Sequence, residues 1–402
     1  MKFLYSPSAT CLCFTAALAL AVLRGAADVS RFDERIAADR SQADAQGLVW
    51  VDGRSLPLES KAFADTPDPY GRIAADLLPG CPEGVRYMAR QSTGHYFLFA
   101  TDSSKLAVEW VLEEKWGTDP YIPPQGLYGI DIYDTVDGKW RFVRNGRLSV
   151  WSNETNKVCV DMLGKGFRPV RVYLPTRGVI RSIRIGLEKG ARLEQVRHPS
   201  GIVKPVVHYG TSIVHGGCAS RPGLCFTSIA GRLADAPYVN MGFSGCAKLE
   251  PHLADVLARI DASLYVVDPV WNCTPEIIRE RLEPFLRKLH AAHPGVPLLV
   301  CEGGEPSGAR SKTNEAMKEV YDRLAAEKST LSARLNYLPA AGMIQTDGES
   351  THDYCHPNDY GSVHMGKVFA KAIKNCLKAR PGGRAQRRER QKTRQNESGI
   401  SK

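Results

Sequence analysis

Ser212 closes an apolar run (Ile202 to Tyr209) and stands just before the glycine pair Gly216 and Gly217 in HYGTSIVHGGCASRPG. A serine hydroxyl is a weak nucleophile until a neighbouring base takes its proton, and that base is usually a histidine oriented by a carboxylate. Such a pair occurs near the C-terminus in THDYCHPNDYG, where Asp353 and His356 are three residues apart and Pro357 disfavours a helical His356. At that spacing the carboxylate can reach the Nδ1 hydrogen, which leaves Nε2 to face Ser212. The other histidines are weaker bases. His290 and His293 lie on an amphipathic helical pattern, and His352 and His364 flank the loop but lack an aspartate three residues earlier. His208 and His215 neighbour the serine and are candidates to line its pocket.

Charge developing on a carbonyl oxygen needs donors set in place beforehand. The backbone N–H of Ser212 is one. A second lies in NMGFSG, where Gly245 lets the chain turn closely around a ligand. The third is the side-chain amide of Asn272, after the apolar run in LYVVDPVWN. Taken singly, each residue has an ordinary reading. Ser212 suits a cap or turn, and Asp353 suits an N-cap of the last helix. Asn272 suits a turn, and Asn272-Cys273-Thr274 is also a glycosylation sequon. Their joint appearance, each at a strand end or a pre-helix loop, favours chemistry. That chemistry is acyl transfer to water, which requires no metal and no organic cofactor, and no C-x-x-C spacing after the leader suggests zinc.

The elements that must hold these groups change character near residue 200. From about Leu48 to Val196 short runs alternate with period two, as in Leu106, Val108, Trp110 and Leu112 against Lys105, Ala107 and Glu109, or Ile183, Ile185 and Leu187 against Arg184, Gly186 and Glu188. Half-buried strands between turn residues predict an antiparallel β-sandwich, jelly-roll-like, over residues 48–200. Beyond Gly201 buried strands (Val203–Tyr209, Tyr238–Met241, Leu264–Asp268, Pro297–Glu302 and a fifth at Leu335–Pro339) alternate with helical stretches from Leu224, Pro251, Pro275, Asn314 and Tyr360. That alternation predicts an α/β domain over 201–379 with a parallel sheet of about five strands covered on both faces. In such sheets functional groups gather beyond the carboxyl ends of the strands, where Ser212 falls.

The motifs resemble those of the SGNH (GDSL-type) hydrolases. GTS at 210–212, GFSG at 242–245, Asn272 and the D-x-x-H at 353–356 follow the order of that family's four blocks. The first block is similar to a branch reading GTSITQGGCASRPG, which also carries an N-terminal sandwich marked G-x-D-L-Y; here GIDIY spans Gly129 to Tyr133. The resemblance covers residues 48 to 378. It implies a flavodoxin-like three-layer α/β/α hydrolase domain, Ser212 as nucleophile, His356 as base oriented by Asp353, and Ser212, Gly245 and Asn272 as the oxyanion hole. Thr211 stands where the wider family has aspartate, and DPVWN replaces a glycine-rich third block. Cys246 and Cys355 flank a donor and the base, and a bond between them would lock the site.

The first residues show one Lys, an apolar stretch from Cys11 to Leu23 and small Gly25, Ala26 and Ala27, the pattern of a signal peptide over 1–27. The stretch is short for a bilayer span, which needs about 20 residues; an uncleaved anchor is the alternative to export. The net charge of +10 is concentrated: the final 25 residues carry +7. This tail, 380–402, reads as a solvated disordered segment, with an acidic polymer as the alternative partner and no nucleic acid expected. Nine cysteines follow the leader, so at least one is unpaired or intermolecular. Export, an accessory sandwich and aromatic residues near the site (Tyr209, Trp271, Tyr354) point to an acylated carbohydrate, with acetyl as the expected group. Trp271 is equally compatible with a core position, and the sandwich with a pocket wall. A scaffold that binds glycans without turnover and a lipid or thioester acylhydrolase are the competing functions. The pattern sets no oligomeric state.

Overall fold

The computed structural model describes residues 42–378 apart from 116, 147, 149–154 and 197. The expected leader (1–27) and basic tail (380–402) lie outside the described residues.

Period-two alternation in the first half produces two antiparallel sheets. One joins β1 (Leu48–Asp52), β8 (Val179–Glu188), β3 (Lys105–Glu114) and β6 (Asn156–Asp161) in that order. The other joins β5 (Lys139–Asn145), β4 (Asp131–Val136), β7 (Arg168–Tyr173), β2 (Tyr96–Thr101) and β9 (Leu193–Gln195). Leu106, Val108, Trp110 and Leu112 of β3 meet Phe97 and Phe99 of β2 and Ile132 of β4 between the sheets. Trp110 is wholly buried and its indole N–H donates to the Tyr128 carbonyl at 3.1 Å, so the large ring is covered without an unpaired donor. The outer face of β3 is less open than its alternation suggests, because Ala107 and Glu109 are also buried. Glu109 pairs with Arg184 and Lys157, whose cations lie over the Trp50 ring.

The second half forms a five-stranded, all-parallel sheet in the order β11 (Tyr238–Gly242), β10 (Val206–Gly210), β12 (Leu264–Asp268), β13 (Leu298–Cys301) and β14 (Leu335–Leu338). This is the flavodoxin-like doubly wound order. Helices lie on both faces, and successive residues of a strand serve opposite sides. Val207 and Tyr209 enter a core with helices Pro251–Ala258, Pro275–Ala292 and Lys312–Ala326. Val206 packs on the other side with Phe226–Ala234 and the last helix, Asp359–Lys378, and the His208 ring meets Phe226 and Phe369 there. Thr274 caps the Pro275–Ala292 helix by accepting from the Ile277 N–H, with Pro275 at its first position. Phe63, Ile73, Ala74, Val85 and Met88, which precede β2, join the parallel sheet's core rather than the sandwich core.

The GIDIY motif is where the halves interlock. Asp131 is fully buried and accepts from the Arg221 guanidinium at 2.6 Å, the Gly223 N–H at 2.8 Å and the Asn145 amide at 2.8 Å. The Tyr133 hydroxyl accepts from Arg221 at 2.9 Å and donates to the Gly223 carbonyl at 3.3 Å. An aspartate and a tyrosine two positions apart on one strand face therefore grip the Arg-Pro-Gly that ends the serine-bearing stretch.

Candidate active site

The four sequence blocks converge at the carboxyl edge of the parallel sheet. Ser212 lies two residues past β10, Ser244 and Gly245 just past β11, and Asn272 in a short turn after β12. The loop carrying Asp353 and His356 precedes the last helix. Two contacts dock that loop onto the serine turn. The Cys218 N–H donates to the Pro357 carbonyl at 3.2 Å, and Ser220 donates through both its N–H and its hydroxyl to Asp359. Gly217 makes the approach possible. Its φ of +57° is left-handed, and a Cβ there would come within 3.3 Å of the Pro357 ring.

With the loops docked, Ser212 Oγ lies 2.6 Å from His356 Nε2, and His356 Nδ1 lies 2.7 Å from Asp353 Oδ2. The other carboxylate oxygen, Oδ1, accepts from the backbone N–H of Cys355 at 3.0 Å and of His356 at 2.7 Å. This turn puts Tyr354 at φ +66° and fixes the carboxylate relative to the ring. Partial burial alone would raise the Asp353 pKa. The hydrogen bonds from the His356 N–H and ring, with the imidazole's charge, overcome that and hold it below the ordinary carboxylate value. A hydroxyl, an imidazole and an ionised carboxylate in series can move a proton off the serine.

A cavity of about 470 Å³ opens over this series, lined by Ser212, Ser244, Gly245, Trp271, Asn272, Asp353 and His356 from the α/β half. Gly245, at φ +67°, lies on the wall with its turn residue Ser244. Asn272 is also on the wall, and its amide nitrogen donates to the Cys246 and Phe243 carbonyls. The far wall comes from the sandwich half: Asp119, Tyr121, Ile122, Leu127 and Arg177. None of these has a motif of its own. Asp119 sits in a turn, capping the N–H of Tyr121 and Ile122, and only the docking of the halves carries it to the site. Tyr121 stacks on His352, with ring centroids 5.9 Å apart.

Three expectations about neighbouring residues change. Tyr209 is not a pocket aromatic. It points into the core at 1% exposure, and its hydroxyl binds Glu250 and the Leu249 N–H, because period-two alternation sends it to the face opposite His208. Tyr354 is exposed but does not line the cavity, whereas Trp271 does. His208 and His215 are fully buried; His208 bonds the Tyr238 hydroxyl beneath the sheet, and neither lines the cavity. All nine cysteines of the described residues are free thiols, so Cys246 and Cys355 are not bonded to each other.

A doubly wound sheet bearing this series at its carboxyl edge defines a hydrolase of ester bonds. Residues 203–374 match the GDSL-like lipase/acylhydrolase family, and residues 48–193 match the GxDLY domain found at the N-terminus of SGNH-hydrolase-type esterases. The chain belongs to the SGNH (GDSL-type) hydrolases, in the branch with that N-terminal domain. It is similar to a GDSL-like lipase of Bacteroides ovatus, with 27% identity over 82% of this chain and 98% of that one and a TM-score of 0.73. A salicylyl-acyltransferase from a tetracycline biosynthetic pathway shares the fold at 20% identity, covering 84% of this chain and 98% of its own, with a TM-score of 0.64. So does a family two carbohydrate esterase of Clostridium thermocellum in complex with cellohexaose, at 12% identity over 72% and 94% of the chains and a TM-score of 0.51. No curated protein matches the chain.

Proposed function

We propose that this protein is an exported serine esterase that removes short acyl groups, acetyl above all, from carbohydrates. The observation that carries the catalytic part is the unbroken series from Ser212 Oγ through His356 to Asp353, at 2.6 and 2.7 Å. Ser212 Oγ attacks the ester carbonyl carbon while His356 Nε2 takes its proton. The carbonyl oxygen becomes an oxyanion facing the N–H of Ser212 and Gly245 and the amide of Asn272, which turns from the Cys246 carbonyl to donate to it. As the intermediate collapses, the bond to the alcohol breaks and His356 returns the proton to the departing oxygen. Water then attacks the acyl-serine, giving its proton to His356, and the free acid leaves with Ser212 restored.

The substrate assignment rests on the cavity's chemistry. Its rim combines rings (Trp271 and Tyr121) with hydrogen-bonding side chains (Asp119, Thr118 and Ser244), which suits a polyol more than an acyl chain. The neighbouring loop GGEPSGARSK is polar, unlike an apolar lid. The leader pattern supports export. The test is hydrolysis of p-nitrophenyl acetate, acetylated sugars and long-chain esters by wild type and Ser212→Ala. Acetate release from sugars that vanishes in the variant is the expected result. Equal rates in the two proteins, or a preference for long chains, would reject the reading.

A further inference from the structure

Trp271 brings an indole from the α/β half to the cavity wall, and the neighbouring strand sets where that ring stands. Gly303 is buried two residues past β13, and its backbone lies against the pyrrole edge of the indole. A Cβ built on Gly303 would stand 2.9 Å from Trp271 Nε1, 3.1 Å from its Cδ1 and 2.9 Å from Val270 Cγ1. Any side chain there would push the ring or the turn that carries it. Gly303 is not left-handed, so this position uses the missing side chain rather than backbone freedom.

One buried side chain holds both polar groups of Gly303. Asn314, 0% exposed in the first turn of the helix Lys312–Ala326, accepts from the Gly303 N–H at 2.8 Å and donates to the Gly303 carbonyl at 2.9 Å. Its amide also donates to Glu305 at 3.0 Å, which fixes the amide's orientation. Glu302, the residue before, is tied the other way, to β14. Its N–H donates to the Leu338 carbonyl at 2.9 Å, and its carboxylate accepts from the Tyr337 hydroxyl at 2.5 Å and the Ala340 N–H at 2.7 Å. The backbone behind the indole is therefore anchored from two sides, and the indole also packs on the core that holds Met343 and Ile344. A ring backed in this way is pre-organised, and a ligand that stacks on it does not have to order it first.

We propose that Gly303 and Asn314 are positioning residues that hold the Trp271 ring where the sugar of the substrate stacks on it, and so select a carbohydrate alcohol without touching it. This rests on the carbohydrate-esterase reading and deepens it, because neither residue lines the cavity. The ring meets the sugar in the bound substrate and in the transition state alike, so loss of the contact appears in KM rather than kcat.

The experiment measures kcat and KM on an acetylated methyl glucoside for wild type, Gly303→Ala, Trp271→Ala, the double variant Gly303→Ala/Trp271→Ala and Asn314→Ala, with thermal unfolding for each. Gly303→Ala is expected to raise KM about fivefold at a kcat within about twofold of wild type. Trp271→Ala is expected to raise KM at least as much. Gly303→Ala adds nothing in that background, since the new methyl group has no ring to displace. Asn314→Ala is expected to raise KM similarly, at a lower unfolding temperature. Unchanged KM in Gly303→Ala overturns the proposal even if Asn314→Ala fails to fold. Losses that multiply in the double variant overturn action through the ring. A fall in kcat at unchanged KM also overturns it, by assigning the seat to the turn that carries Asn272. Wild type that hydrolyses p-nitrophenyl acetate but not the glucoside would remove the carbohydrate reading itself and this inference with it, a failure seen before any variant is made.

Discussion

Two aspartates of this chain each gather a cationic or ionisable partner and backbone N–H groups, and they do opposite work. Asp353 binds the ring and N–H of His356, three residues away, with side chains that remain 24% and 28% exposed. Asp131 binds Arg221 and the Gly223 N–H, about ninety positions away, with its own side chain at 0% exposure. The first pair is local and half-wet, so its worth lies in aiming one imidazole. The second is distant and dry, so its worth lies in holding two halves in register. A buried carboxylate stripped of its partner leaves an uncompensated charge, whereas an exposed one is rehydrated. The contrast teaches that similar hydrogen-bond sets can aim one side chain or lock distant segments together, according to burial and sequence separation.

The comparison breaks most sharply by mutation of Asp353 on one side and of Asp131's partner Arg221 on the other. Asp353→Ala should lower kcat by about 10⁴-fold while the unfolding midpoint stays within about 0.5 kcal/mol of wild type, as for a surface substitution. Arg221→Ala should do the reverse, costing about 3–5 kcal/mol of stability in denaturant titration. Activity would then be lost only as the protein unfolds or the sandwich wall detaches. If both variants lose activity alone, the division between aiming and holding is wrong. Asn272→Ala, at the catalytic edge, should raise the barrier by about 3 kcal/mol, read as kcat at unchanged fold.

Acid sharpens the same contrast, since the interior holds His95 and His215 uncharged while the edge keeps Asp353 ionised. Burial pushes His95 down to about 3, with Arg72 and Lys61 adding to the effect and the Gly71 carbonyl opposing it, and His215 likewise lies well below its usual value. Between about 6.5 and those depressed values the unfolded chain binds protons that the folded chain refuses. Stability therefore falls as pH drops, by about 1.4 kcal/mol per unit for each group. Urea midpoints at pH 7 and pH 5 check this, and a flat profile would contradict it. The smallest expected effect is at the rim. Tyr121→Ala should cost about 1 kcal/mol in kcat/KM on sugar esters and leave p-nitrophenyl acetate hydrolysis unchanged.

Much of the fold was legible because the signals were local. Alternation such as Ile183, Ile185 and Leu187 is a period written in consecutive residues, and the strand–helix rhythm after Gly201 gives the parallel sheet in the same way. The D-x-x-H turn was legible for the same reason: the aspartate reaches its own neighbours. Tyr209 was misjudged although its strand was correctly placed, because an aromatic at a strand end does not declare which face it takes until both faces are covered. The cavity's far wall was invisible. Asp119 and Tyr121 carry only turn chemistry in the sequence, and no spacing rule links them to Ser212.

The sequence by itself determined the chemical vocabulary, a serine, a D-x-x-H pair, an asparagine and glycine turns, together with the two periodicities that build the scaffold, since these depend on neighbours a few residues apart. Tertiary structure alone decided that Ser212 and His356 meet within hydrogen-bond distance across 144 positions, that sandwich residues close the cavity, and that Arg72 and Arg177 of the N-terminal half close around buried His215. Those outcomes depend on packing between chain segments far apart in number, where burial and close approach, rather than local spacing, set which polar groups must find each other.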